Sequence, residues 1–219
     1  MMAVPGFAPR CSGFQIAKCF TYEEEDVKCE YCERYRRGKC ISSKCPWMLE
    51  RLQAGAIGYK DLVRSCFSGK LNRRLFSRIA STCAKVDWSQ YRSEGHRKRM
   101  EACLHDHQRF NQGGEPDPKW LAVIFLLTAS ERVWESCLKG VTLMSVELRS
   151  VVPLHFSTQD YALFQMARSI LDQSQRISEY ELADRTLIRN ETFTVLMDAM
   201  VLAEYGVALL PTEEKEAPT

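Results

Sequence analysis

The 219-residue chain has no apolar run long enough to cross a bilayer. Its longest apolar stretch, Trp120 to Ala129, is half of the roughly 20 residues a helical span needs. Several signatures of enzymes are missing as well: there is no Gly-rich phosphate loop, no Gly-x-Ser-x-Gly and no His-Glu-x-x-His. Only four histidines are present, and no set of convergent polar residues can be assembled from the sequence, so nothing points to an enzyme. An enzyme with an unrecognised site is kept as the remote alternative. The first residues, Met-Met-Ala-Val-Pro-Gly-Phe-Ala-Pro-Arg, have neither the basic lead nor the apolar block of a signal peptide, which predicts a cytoplasmic protein. Strand-like alternation of useful length is absent after residue 46, which predicts an all-α chain. A hydrophobic fraction of 45% with 26% charged residues excludes disorder throughout.

What is plentiful is cysteine. Ten cysteines in a chain expected to be cytoplasmic are not a disulfide framework, because such thiols stay reduced. Cys66, Cys83, Cys103 and Cys137 are scattered through helical patterns and read as buried free thiols. Cys29, Cys32, Cys40 and Cys45 instead crowd into 17 residues with the spacing C-x2-C-x7-C-x4-C. Four soft ligands so spaced can close a tetrahedron around Zn²⁺, and a complete set of thiolates leaves no open position, so the metal would be structural. An iron–sulfur cluster and unligated thiols are the alternatives. Cys19 is a spare thiol able to replace one of the four. Gly38 can supply the turn before Cys40, and Lys28, Arg34, Lys39 and Lys44 can offset the excess negative charge of four bound thiolates.

The net charge of +2 hides a polarity: residues 1–110 sum to +9 and residues 111–219 to −7. Within the first part, residues 34–109 carry 18 Lys and Arg against 6 Asp and Glu. Such asymmetry predicts a polyanionic partner, a nucleic acid or a nucleoprotein complex, for the basic side. The alternative is that the basic segment docks on the acidic half. Arg36, Arg37, Arg73, Arg74, Arg78, Arg97, Lys98 and Arg99 are the candidate nucleic-acid-binding side chains, with Tyr31 and Tyr35 available for stacking. Arg73, Arg74 and Arg78 are expected to lie away from the apolar stripe Leu71, Leu75, Phe76 and Ile79. His96, His105 and His107 are expected on the surface of a basic helix covering roughly residues 90–110. His105-Asp-His107 near Gly113-Gly114 resembles the start of a ββα-metal nuclease site, but no downstream Asn and helical His complete it.

Helix ends are marked clearly. Asp117-Pro118 predicts a cap followed by proline in the first turn, and Ser157…Asp160 and Ser178…Glu181 predict capping boxes. Pro46 suits the start of a helix that stops at Gly55, and Asn190 is expected to cap a last helix that stops at Gly206. Residues 178–196 resemble the helix-turn-helix of bacterial repressors, with Leu187 where glycine is usual and an acidic setting that opposes phosphate binding. The expected organisation is an N-terminal arm (1–22), a four-cysteine zinc module (23–55), a basic helical segment (56–110), an apolar helical domain (111–210) and a tail (211–219). The fold class is thus all-α, with a small zinc module in front of a multi-helix domain.

Cys29 through Phe67 is similar to short cysteine-containing proteins from mobile elements of Gram-positive gut bacteria. Trp120-Leu-Ala-Val-Ile-Phe-Leu-Leu-Thr-Ala with Trp134, Tyr161-Ala-Leu-Phe, and Leu182-Ala-Asp with the helix to Gly206 resemble an uncharacterised helical family from the same setting. The resemblance implies a mobile-element accessory protein and carries no catalytic residues with it. An alternative partner in that setting is a host protein, such as a defence (CRISPR-type) nuclease that the chain would inhibit.

Overall fold

The Asp117 carboxylate accepts hydrogen bonds from the backbone N–H groups of Lys119 and Trp120, both at 2.9 Å, and Pro118 occupies the first turn that follows. Two of the donors that every helix start leaves unsatisfied are thereby met. The helix so begun is central to the molecule, which was determined as a computed structural model describing residues 22–42, 44–67, 69, 71–83, 91–112 and 114–206. Of the expected arm only Tyr22 is described, and Cys19 and the expected tail lie outside the described residues.

The described chain is mostly helical, with nine α-helices and one two-stranded sheet. It divides into two units between Ser65 and Cys66. The first unit holds a 3-10 turn at Cys29–Tyr31, a hairpin of β1 (Tyr35–Arg36) and β2 (Lys39–Cys40), α1 (Met48–Gln53) and α2 (Tyr59–Ser65). Helix α1 begins two residues after Pro46, and the chain turns at Gly55 with φ of +73°. Val27, Met48, Tyr59, Leu62 and Val63 are the buried apolar residues described in this unit. So small a core supplies little stability by itself.

The second unit holds α3 (Arg73–Thr82), α4 (Glu94–Phe110), α5 (Pro118–Thr128), α6 (Glu131–Cys137), α7 (Thr158–Asp172), α8 (Glu179–Ala183) and α9 (Asn190–Tyr205). Every residue of α5 from Trp120 to Thr128 is buried. It is hydrophobic all round because it is surrounded, with α4, α6, α7 and α9 packed against it. Each large aliphatic side chain withdrawn from water there contributes about 1.5–3 kcal/mol. Both expected capping boxes are formed, Ser157 with Asp160 and Ser178 with Glu181.

Two expectations are corrected. A boundary near residue 111 is not where the chain divides, since α4 packs on α5 across that loop; loop-forming residues mark a turn and are silent on what packs across it. Asn190 is the first residue of α9 and not its cap, and its Oδ1 accepts a hydrogen bond from Arg78. Beyond residue 46 the extended pairing among the described residues is a single antiparallel bridge between Val141 and Val146.

Candidate metal centre and cationic hairpin

The cysteine segment is organised by short-range backbone bonds. The N–H of Cys32 donates to the carbonyl of Cys29 at 3.0 Å, and the N–H of Tyr35 donates to the carbonyl of Cys32 at 2.9 Å. The chain then reverses through a two-residue loop in which Arg37 has φ of +53° and Gly38 φ of +79°. Two left-handed residues between paired strands are the pattern of a type I′ turn, whose twist matches that of a hairpin. The register sets Tyr35 opposite Cys40 and Arg36 opposite Lys39, and the N–H of Ile41 closes the ladder on the carbonyl of Arg34 at 2.8 Å.

This folding places Cys29, Cys32, Cys40 and Cys45 around one cavity of about 180 Å³, which Val27, Tyr35, Trp47 and Arg51 also line. Arg51, on α1, donates from Nη1 to Sγ of Cys29 at 3.3 Å. Its Nε is buried and has no hydrogen-bond partner among the described residues. Sequence reasoning misses Arg51 because 22 residues separate it from Cys29 and no local pattern links the two. Among the described residues no group of three or more His, Cys, Asp or Glu side chains is drawn together closely enough to hold a metal ion. The four cysteines therefore share a cavity, but the tetrahedron expected from their spacing is not formed. The residues fit a thiophilic cation in donor type, in number and in having a guanidinium beside them to offset surplus negative charge.

The candidate nucleic-acid residues fall into distinct groups. Arg36 and Arg37 are exposed at the hairpin, with Arg34 and Lys39 beside them, and none of the four is ion-paired with a described residue. Arg73 and Arg74 are exposed on the first turn of α3. On α4, Arg97 is held by Glu94 and Glu101, and Lys98 lies 3.7 Å from Glu94. Arg99 reaches back to α5, donating from Nε to the Thr128 carbonyl at 2.9 Å. The charge excess of this helix is therefore largely spent within the fold.

Arg78 is corrected outright. It is only 1% exposed, and its guanidinium donates to the carbonyls of Leu182, Asp184 and Ile188 and to Oδ1 of Asn190. Burial and the nearby Arg185 lower its pKa to about 10. It is a structural cation that fills the corner between α8 and α9. That corner also disposes of the helix-turn-helix reading: Leu187 is absent from the residues with positive φ, so the link lacks the left-handed residue that motif needs.

The histidines are corrected too. His96 is fully buried, with Nε2 2.9 Å from the Phe125 carbonyl and Nδ1 accepting from the backbone N–H of Arg92. Burial first, and then the charges of Arg99 and Arg92, push its pKa down to about 4, against the hydrogen bond to Phe125. His107 is buried against the Trp120 ring, their centroids 4.8 Å apart, while His105 is exposed as expected. Of the scattered thiols, Cys83 and Cys137 are buried as expected, and Cys66 and Cys103 are only half-buried. Burial pushes Cys83 and Cys137 up to about 12, so neither is a nucleophile near neutral pH. No helix among the described residues is long and apolar enough to cross a membrane.

No family model, no curated protein and no solved structure matches this chain, and the resemblance to mobile-element families gains no support from that quarter.

Proposed function

We propose that the protein is a zinc-stabilised, non-enzymatic binding protein that engages nucleic acid, free or in a nucleoprotein, through exposed cations. The single observation that carries this reading is the shared cavity of Cys29, Cys32, Cys40 and Cys45 behind a hairpin whose cations are unpaired among the described residues. Four thiolates repel one another, so a cation is what would draw them together. When bound, Zn²⁺ would act as a cross-link between the Cys29–Cys32 turn, β2 and the entry to α1. Arg51 would hold the Cys29 sulfur in place from its present position. Seventeen residues with few buried side chains gain more from such a cross-link than from their own core.

Nucleic acid is favoured as the partner because the exposed arginines and lysine at the hairpin and on the first turn of α3 have no carboxylates to neutralise them among the described residues, unlike Arg97 and Lys98 of α4. The mobile-element setting implied by the sequence resemblance accommodates such a partner. The test is to purify the full chain, measure its metal by mass spectrometry, and titrate DNA and RNA oligonucleotides at about 50 and 200 mM salt. Zinc near one per chain together with affinity that falls steeply with salt supports the reading. Metal-free protein, or no binding to any oligonucleotide at the lower salt, rejects it.

A further inference from the structure

Resting on the nucleic-acid reading above, we propose that the hairpin Tyr35–Cys40 is the element that contacts the phosphate backbone, and that loading of the cysteine cavity is what presents it. Arg34, Arg36, Arg37 and Lys39 place four cations within six consecutive residues. The other side chains assigned to nucleic acid are buried, ion-paired, bonded to a backbone carbonyl or, as with Arg73 and Arg74, offered two at a time. A two-residue loop fixes the spacing of the cations on either side of it, because Arg36 pairs with Lys39 across the strands. Once the hairpin is ordered, the entropy of positioning them is settled before nucleic acid arrives.

The coupling to metal follows from connectivity. Cys32 lies three residues before β1 and Cys40 ends β2, so the hairpin is bracketed by two of the four cavity cysteines. With only four ladder residues the hairpin is marginal alone. A cation joining Cys32 and Cys40 would fix both of its ends and remove extended conformations from the unfolded chain. Phosphate binding and metal binding are then linked. Each favours the ordered hairpin, so each strengthens the other.

The same geometry supplies a clean variant. Arg37 has φ of +53°, a conformation in which asparagine is at ease. Arg36→Gln/Arg37→Asn/Lys39→Gln therefore removes three charges while keeping the turn. The experiment uses the full-length protein as purified, fluorescent duplex DNA and single-stranded RNA as probes, and Lys119→Ala as the charge control outside the hairpin.

Between about 50 and 200 mM salt the affinity of the parent should fall about 40-fold more than that of the triple variant on duplex, and about 20-fold more on a single strand, the effect of losing three phosphate contacts. Whichever probe shows its characteristic difference identifies the form of nucleic acid bound. Metal content should be unchanged in the variant, and chelation should weaken the parent far more than the variant. If the variant keeps the parent's salt dependence while Arg73→Gln/Arg74→Gln loses it, the hairpin assignment is overturned and the broader nucleic-acid reading stands. If chelation weakens parent and variant alike, the metal does not act through the hairpin. If the parent binds neither probe, both readings fall together.

Discussion

The guanidinium carbon of Arg78 lies 4.1 Å from the centre of the Phe193 ring. An arginine of α3 thus sits on the buried face of α9 while its nitrogens donate to the carbonyls of Leu182 and Ile188, and to that of Asp184, which also accepts from the Ile188 N–H. Burying a charge is costly unless its hydrogen bonds are met, and here the link supplies acceptors for both Nη groups, while Nε has no partner among the described residues. Each makes the other's burial tolerable.

Removing that arginine should therefore be strongly destabilising. Arg78→Ala leaves the Leu182 and Ile188 carbonyls buried without a partner, and the expected loss is on the order of 3–5 kcal/mol. Arg78→Lys should recover only part of it, because an ammonium cannot reproduce the planar fork. Urea denaturation followed by circular dichroism measures both, and a midpoint unchanged in Arg78→Ala would contradict the structural role.

Acid should weaken the fold through His96. Its pKa is about 4 in the folded chain against a usual value of 6.5, so between those values the unfolded chain binds a proton that the native state does not. Stability is then complete above pH 6.5 and is lost as pH falls towards 4. The full effect is on the order of 3 kcal/mol. His96→Gln should flatten stability against pH in that window while lowering it overall. A variant that keeps the parent's slope would show that another group is responsible.

A smaller effect is expected where α7 begins. Asp160 is buried, which by itself raises its pKa, but hydrogen bonds from Ser130 and Ser157 outweigh burial and hold the carboxyl below its ordinary value. Ser157→Ala removes one partner of the capping box and should cost about 1 kcal/mol. Asp160→Ala also releases Ser130, at the start of α6, and should cost more. Thermal melts of the two variants and of the pair would reveal the coupling as non-additivity.

For the cysteines the expected outcome is one of location. Cys32→Ser should reduce bound metal from about one per chain to near zero, with helical content nearly unchanged because α3 to α9 belong to the second unit. Cys137→Ser, buried elsewhere, should leave the metal content as it was. Equal metal in the parent and in Cys32→Ser would remove the basis for the zinc reading.

The sequence by itself determined the helical class, the all-buried α5, both capping boxes and the Asp117 cap, since each rests on residues within a turn or two of one another. It also singled out the four cysteines that line one cavity. Only the tertiary structure decided which cations remain free. Arg78 shares the buried face of α3 with Leu75 and Ile79, and His96 that of α4 with Met100 and His107; backbone carbonyls from Leu182 and Ile188, Phe125 and Thr128 reach Arg78, His96 and Arg99 across 29 residues or more. Helical periodicity tells which face of a helix is apolar. It carries no information about an unpaired carbonyl on a distant segment, and that is what draws a polar side chain inward.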